Sequence, residues 1–152
     1  MPAAAQTKIE TATTTPVTTA TIKAGTPDDI LVTSTGSIGG TGPVAITINS
    51  NNKVTNQGSI SLGGVTNATG ILANAGVTSE IVNSGKITLD EAYTPTDADN
   101  DGDLDGSFAV GSGRVAIRTL GAFTGNITNS GQITVEGNDS AGILLEIGRA
   151  HV

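Results

Sequence analysis

Five aspartates occupy alternating positions in the stretch TDADNDGDLDG, which runs from Thr96 to Gly106. Their carboxylates are close enough in sequence to surround a cation: Asp97, Asp99, Asp101, Asp103 and Asp105. The first three, followed by Gly102 for a sharp turn, match positions one, three, five and six of an EF-hand-like calcium loop. Asp103 would offer its main-chain carbonyl, and Asp105 would take position nine. The spacing therefore predicts a calcium site made by these five residues.

The match to a calcium loop is incomplete. Its twelfth position is Phe108, which cannot supply the bidentate carboxylate of a complete EF-hand. Five carboxylates this close repel one another unless a cation or water screens them. Two interpretations stay open. One is a weak calcium loop with a dissociation constant of about 10⁻⁴ to 10⁻³ M, which is typical of extracellular modules, and the other is a solvated acidic loop.

Catalytic motifs are weak, and we expect a non-catalytic protein. The G-x-G-x-x-A match in GSGRVA, Gly111 to Ala116, follows the acidic stretch rather than a strand and opens no helix, which argues against a dinucleotide site. A Ser/His/Asp triad would depend on His151, close to the end of the chain. The alternative is a polysaccharide-cleaving enzyme that combines Asp-bound calcium with Arg114 or Arg118, although both arginines could equally be solvated or paired with nearby Asp.

The composition narrows the classes of partner. The net charge is −7 over 152 residues, and no two of the seven Lys and Arg are adjacent, so the basic stripe needed to bind nucleic acid is missing. There is no cysteine for disulfides or thiolate metal sites. No apolar run approaches the roughly 20 residues of a membrane-spanning helix.

A nine-residue motif recurs three times and predicts the elements that position the acidic stretch. The copies are VTNQGSISL (Val54 to Leu62), IVNSGKITL (Ile81 to Leu89) and ITNSGQITV (Ile127 to Val135), with a weaker copy, VTSTGSI (Val32 to Ile38). In each strong copy, aliphatic residues alternate with hydroxyl residues, which is the pattern of a half-buried strand. A second element lies between copies: ATGIL (Ala68 to Leu72), GRVAI (Gly113 to Ile117) and SAGIL (Ser140 to Leu144).

The spacing of the motif glycines indicates stacked rungs. Gly36, Gly58, Gly85 and Gly131 are separated by 22, 27 and 46 residues, and the longest gap contains the acidic stretch. Short rungs that bury their apolar faces only by stacking define a solenoid, and with strands and corner glycines this predicts an all-β parallel β-helix. A β-sandwich with hairpins is the alternative. Asn56, Asn83 and Asn129 would form a side-chain ladder or simply favour turns beside Gly.

These patterns divide the chain into three parts. Residues 1–24 form a Thr-rich N-terminal segment, residues 25–145 form the rungs with an acidic insertion at 90–112, and residues 146–152 stand apart. PAAAQ (Pro2 to Gln6) resembles the end of a secretory signal peptide. IGRAHV (Ile147 to Val152) matches a translated sequencing adaptor, so we expect natural sequence to stop near Leu145.

The chain resembles the N-terminal passenger region of Gram-negative autotransporter outer-membrane proteins. The similarity covers roughly Gln6 to Leu145 and is carried by the phrases PDDI (Pro27 to Ile30), NSGKITLDEAYTPTDADNDGDLDG (Asn83 to Gly106), GSGRVAI (Gly111 to Ile117) and GNITNSGQITVEGNDSAGILL (Gly125 to Leu145). It implies a secreted, surface-exposed, adhesin-like segment of a β-helical passenger. It also implies a C-terminal β-barrel missing from this fragment, and a glycan or another cell surface as partner.

Overall fold

The structure is a computed structural model that describes residues 5–146. The first four residues of the predicted signal-peptide remnant and the predicted adaptor-encoded segment from Ile147 to Val152, including His151, lie outside the described residues. Within the described residues the secondary structure is entirely β, with no helix that could cross a membrane.

Most of the strands group into five rungs of three strands each. The first three rungs are β1 (Gln6–Ile9), β2 (Ala12–Thr13) and β3 (Val17–Thr18); β4 (Asp29–Val32), β5 (Ser37–Gly39) and β6 (Val44–Ile48); and β7 (Val54–Asn56), β8 (Ser59–Ser61) and β9 (Thr69–Ala73). The last two are β11 (Ile81–Asn83), β12 (Lys86–Leu89) and β13 (Val115–Thr119); and β15 (Ile127–Asn129), β16 (Gln132–Val135) and β17 (Ala141–Leu145). Two short strands, β10 (Val77–Thr78) and β14 (Phe123–Thr124), pair with each other.

Corresponding strands of successive rungs form three five-stranded parallel sheets. The first sheet has the order β1-β4-β7-β11-β15, the second β2-β5-β8-β12-β16 and the third β3-β6-β9-β13-β17. Every strand pairing in these sheets is parallel. Because hairpins would produce antiparallel pairs, the β-sandwich alternative is wrong, and the predicted parallel β-helix is confirmed.

Three columns of aliphatic side chains form much of the core. One column runs along each sheet: Ile30, Val54, Ile81 and Ile127; Ile38, Ile60, Ile87 and Ile133; and Ile46, Ile71, Ile117 and Ile143. The members in the second, third and fourth rungs are almost completely buried. A core of small aliphatic side chains, repeated once per rung, explains how a chain with so few aromatic residues folds.

Corner glycines are required by close approach of the backbone. Gly85 and Gly131 follow the first-sheet strands of the fourth and fifth rungs, and a Cβ at either would overlap a carbonyl oxygen of the preceding rung. Neither glycine has a positive φ. The repeated Gly therefore permits rungs to stack tightly at this corner, rather than supplying a left-handed turn.

The rungs begin earlier than the sequence predicted. The Thr-rich segment assigned to residues 1–24 contains the first rung, since β1 pairs with β4, β2 with β5 and β3 with β6. Two of its core positions are threonines, Thr7 opposite Ile30 and Thr13 opposite Ile38. The boundary at residue 25 was placed too late because the aliphatic alternation disappears where Thr replaces Ile.

The weak motif copy, VTSTGSI, does not pair throughout as its alignment with the strong copies predicts. Its glycine, Gly36, lies one rung before Gly58, but Val32 rather than Ser34 lies opposite Asn56. Two extra residues lengthen the corner between β4 and β5, so the two halves of the copy are offset from each other. The acidic insertion is found where predicted, between the end of β12 at Leu89 and the start of β13 at Val115.

Candidate functional site

The acidic insertion folds back on itself at its tip. Thr96 and Asp105 form an antiparallel bridge, in which the Asp105 amide donates to the Thr96 carbonyl at 2.9 Å. The residues between them form a closed loop that contains four of the five predicted ligands. Asn100 and Gly102 adopt positive φ values of 59° and 97°, which turn the chain sharply within this loop.

Three of the five predicted ligands converge. Asp97, Asp99 and Asp105 each place a carboxylate oxygen so that all three atoms lie within 4.8 Å of one another. Asp101 and Asp103 lie outside this group and are exposed. The structure thus brings together the residues at the first, third and ninth positions of the predicted calcium loop, whereas those at the fifth and seventh positions are exposed.

Main-chain amides hold the converging carboxylates in place. The amides of Ala98 and Asp99 donate to Asp105 Oδ2 at 2.7 and 3.3 Å. The Gly102 amide donates to Asp97 Oδ2 at 3.1 Å. Asp97 Oδ1 is enclosed by the loop, and within the described residues it has no hydrogen-bond partner.

The donor set has the chemistry of a hard-cation site. All three converging groups are carboxylates, and calcium prefers flexible shells of oxygen ligands. Asp97 Oδ1 could bind a cation without breaking an existing hydrogen bond. These residues therefore fit calcium better than a transition metal that favours nitrogen or sulfur ligands.

A buried ion pair clamps the base of the insertion. Arg114 Nη2 lies 3.0 Å from Glu91 Oε2, and the side chains are only 1% and 9% exposed. The two Glu91 oxygens also accept the amides of Val110 and Gly111 at 2.7 and 2.8 Å. Since Glu91 lies near the start of the insertion and Gly111 near its end, one carboxylate joins the two ends of the insertion, which together form its stem.

Arg114 extends this clamp across three successive rungs. Its Nε donates to the Val65 carbonyl of the third rung at 2.9 Å, and its Nη1 donates to the Glu136 carbonyl of the fifth rung at 2.7 Å. The guanidinium is thus satisfied by two main-chain oxygens and a carboxylate, as a buried charge requires. The sequence did not reveal this clamp, because Glu91 is next to Asp90 in an apparently solvated acidic segment.

The environment of Glu91 keeps it ionised. Burial raises the pKa of the Glu91 carboxyl, but the Gly111 and Val110 amides and the Arg114 guanidinium together outweigh that effect. The pKa therefore lies below its ordinary value of 4.5. Glu91 is a carboxylate at neutral pH and can hold the stem through charge-assisted hydrogen bonds.

The two arginines considered for glycan cleavage are both engaged by the protein. Arg114 is buried in the clamp. Arg118 pairs with Glu146, and their side chains are 32% and 39% exposed. Arg118 consequently remains at the surface, whereas Arg114 is not accessible to a polymer on the solenoid face.

The repeated asparagines form the predicted ladder. Asn56 Nδ2 donates to Asn83 Oδ1, and Asn83 Nδ2 donates to Asn129 Oδ1, each at 2.7 Å. Asn56 and Asn83 are completely buried. Asn56 Oδ1, at the end facing Val32, has no hydrogen-bond partner in the described part of the chain.

Comparison of the chain with known protein-family models, with curated proteins and with solved structures finds no match.

Proposed function

We propose that this chain is a surface-exposed, non-catalytic interaction segment, in which a rigid β-helix presents an acidic loop to partners. The observation that carries the proposal is the clamp that fixes a single long insertion to three stacked rungs. A rigid mount lowers the entropy lost when the loop binds a partner. The function is thus presentation of a binding element, in the manner of an adhesin.

The extended stack supports a role as a stalk. Each rung contacts its neighbours through three parallel sheets, so length can grow by repetition without a larger globular core. The resemblance to autotransporter passengers adds a location, the exterior of a Gram-negative cell, where another cell surface or its glycans would be the partner.

Calcium is the cofactor that we propose for the tip of the insertion. The convergence of Asp97, Asp99 and Asp105 and the enclosed, unpaired Asp97 oxygen support it. A bound divalent cation would relieve the repulsion among the carboxylates. It would also join residues at both ends of the tip loop and so order the surface presented to a partner.

A non-catalytic role agrees with the environment of the two arginines that follow the acidic loop. Cleavage of an acidic polysaccharide would need a cationic or proton-transferring group free to reach the polymer. Arg114 is committed to Val65, Glu91 and Glu136, and Arg118 is paired with Glu146. Both are therefore better suited to structural roles.

Adhesion of coated beads tests the proposed function. Fluorescent beads carrying the purified chain should bind to epithelial cell layers in millimolar calcium. Beads carrying a variant with residues 96–106 replaced by a Gly-Ser segment of equal length should bind much less, since the rungs remain while the presented loop is lost. Beads coated with serum albumin control for adhesion caused by negative charge alone. Wild-type beads that bind no better than the albumin beads would refute the interaction function.

A further inference from the structure

Two apolar side chains at the base of the insertion are unusually exposed. Phe108 is 76% exposed and Val110 is 71% exposed, the highest values for large hydrophobic residues in the described part of the chain. The sequence has only two phenylalanines, and the other, Phe123, packs against the core. Contiguous exposed apolar surface marks interaction sites more often than scattered apolar residues do.

The backbone that carries these side chains is firmly held. Ala109, between them, is 5% exposed, and its carbonyl accepts a hydrogen bond from Asn138 Nδ2 at 2.8 Å. The Val110 amide donates to Glu91 Oε1, and Glu91 is fixed by Arg114. Phe108 and Val110 therefore flank an anchored point. Their exposure belongs to a fixed part of the fold, and a partner that buries them would lose little entropy in ordering the backbone.

The charge of the insertion limits which partner could cover this surface. Residues 90–112 contain seven of the fourteen acidic residues and no Lys or Arg, so the other seven acids balance the seven basic residues (7 − 7 = 0). The whole formal charge of −7 is therefore carried by the insertion. A partner approaching Phe108 meets a strongly negative field, which attracts cationic surfaces and repels anionic lipid or nucleic acid.

We propose that Phe108 and Val110 anchor a protein-docking surface for a partner that presents an apolar pocket rimmed by Lys and Arg. Aromatic anchors commonly supply most of the affinity of a protein interface. The surrounding acids would increase the association rate and select cationic partners. This inference deepens the proposed interaction function and rests on it, but it is independent of calcium, because the clamp rather than the aspartate loop holds the two side chains.

A display library of small three-helix scaffolds, randomised on one helical face, provides the first test. Scaffolds selected on the wild-type chain should combine Lys or Arg with aliphatic or aromatic residues and should bind more weakly as salt is raised. The double variant Phe108→Ser with Val110→Ser should bind them at least about tenfold more weakly, the effect expected for loss of interface anchors. Leu120→Ser is the matched control, since Leu120 is 40% exposed but lies outside the insertion, and it should leave binding unchanged.

Three results would overturn this docking surface. The first is selection of scaffolds without basic residues, and the second is retention of binding by the double variant when hydrogen exchange shows that its stem is intact. The third is binding of the wild-type chain to phosphatidylserine vesicles that the double variant loses, which would assign the two side chains to a lipid surface.

Bead adhesion separates failure of this inference from failure of the broader function. The double variant should adhere much less than the wild type. Full adhesion by the double variant would overturn the docking surface and leave the interaction function standing. Absence of adhesion by the wild-type beads would count against the interaction function itself.

Discussion

Asparagine has a structural role in this chain that turn propensity alone does not explain. Asn83 is buried and hydrogen-bonds to Asn56 on one side and Asn129 on the other, which satisfies its amide inside an apolar core. The ladder also favours the observed register of the first sheet, because a shift of one residue would move these amides to the opposite face of the sheet. The recurrence of Asn two residues before Gly therefore indicates both a tight corner and a column of polar side chains within the core.

Replacing the central residue of the ladder should destabilise the fold. Asn83→Val would leave Asn129 Oδ1 without its donor and remove the acceptor used by Asn56 Nδ2. Asn56 Nδ2 would keep its bond to the Lys86 carbonyl, and the exposed Asn129 could bond to water. The loss is therefore that of the ladder hydrogen bonds, and the free energy of unfolding from urea denaturation should fall by about 1 kcal/mol. Thr55→Val, on the outward face of the neighbouring rung, is the control and should change stability little. Equal stability of the Asn83 variant and the wild type would contradict a stabilising ladder.

At the scale of elements, the sequence was most informative where each rung repeats the same chemistry. The motifs beginning at Val54, Ile81 and Ile127 became the third, fourth and fifth rungs in the expected order. The first rung was missed because Thr7 and Thr13 fill positions that Ile fills later. Local pattern cannot tell a threonine that faces the core from a solvated one, since only the stacking of the next rung decides its burial.

The candidate site was predictable to a similar extent. Regular spacing singled out the five aspartates, and three of them converge in the structure, whereas calcium binding stays a prediction. The clamp was invisible because its members are far apart in sequence: Arg114 contacts Val65, 49 residues earlier, and Glu91, 23 residues earlier. Which arginine becomes buried depends on how the rungs stack, and a local sequence pattern does not specify that stacking.

The insertion stem should loosen in acid because it depends on an ionised Glu91. The folded pKa is lowered, so the stabilisation is complete above the ordinary value of 4.5 and is lost as the pH falls through the folded pKa. Hydrogen exchange at the Val110 and Gly111 amides, corrected for intrinsic rates, should therefore show protection that declines below pH 4.5 in the wild type.

Glu91→Gln should give low protection of these two amides throughout that pH range, because a neutral side chain leaves the buried Arg114 charge unpaired. Glu80→Gln provides the matched control. It removes the Lys53–Glu80 pair, whose side chains are 43% and 50% exposed, and a surface pair of that kind contributes little. Wild-type protection retained in the Glu91 variant would show that the stem does not depend on the clamp.

The whole molecule combines a neutral stack with a single strongly charged projection. The insertion carries the entire net charge of −7, and its repulsion is concentrated at the tip, where Asp97, Asp99 and Asp105 converge. The stack can be lengthened by further rungs without changing this electrostatic character, whereas one bound cation would change it substantially. If calcium binds there, as we propose, it would alter the charge of the insertion without altering the stacked rungs.

Calcium should stabilise the intact chain through this tip. We assume a dissociation constant of about 1 mM and an insertion that unfolds together with the rungs. Calcium at 10 mM would then raise the free energy of unfolding by roughly 1.4 kcal/mol through mass action. For a chain of this size, that corresponds to a rise of about 3–6 °C in Tm. Scanning calorimetry with and without calcium measures the shift. Asp97→Asn should abolish it, because Asp97 belongs to the converging group, whereas Asp103→Asn should retain most of it, because Asp103 lies outside that group. If the Asp97 variant keeps the calcium response, the cation binds elsewhere. If the wild type shows no shift in Tm at 10 mM calcium and proteolysis of the loop is also unchanged, the aspartates form a solvated acidic surface.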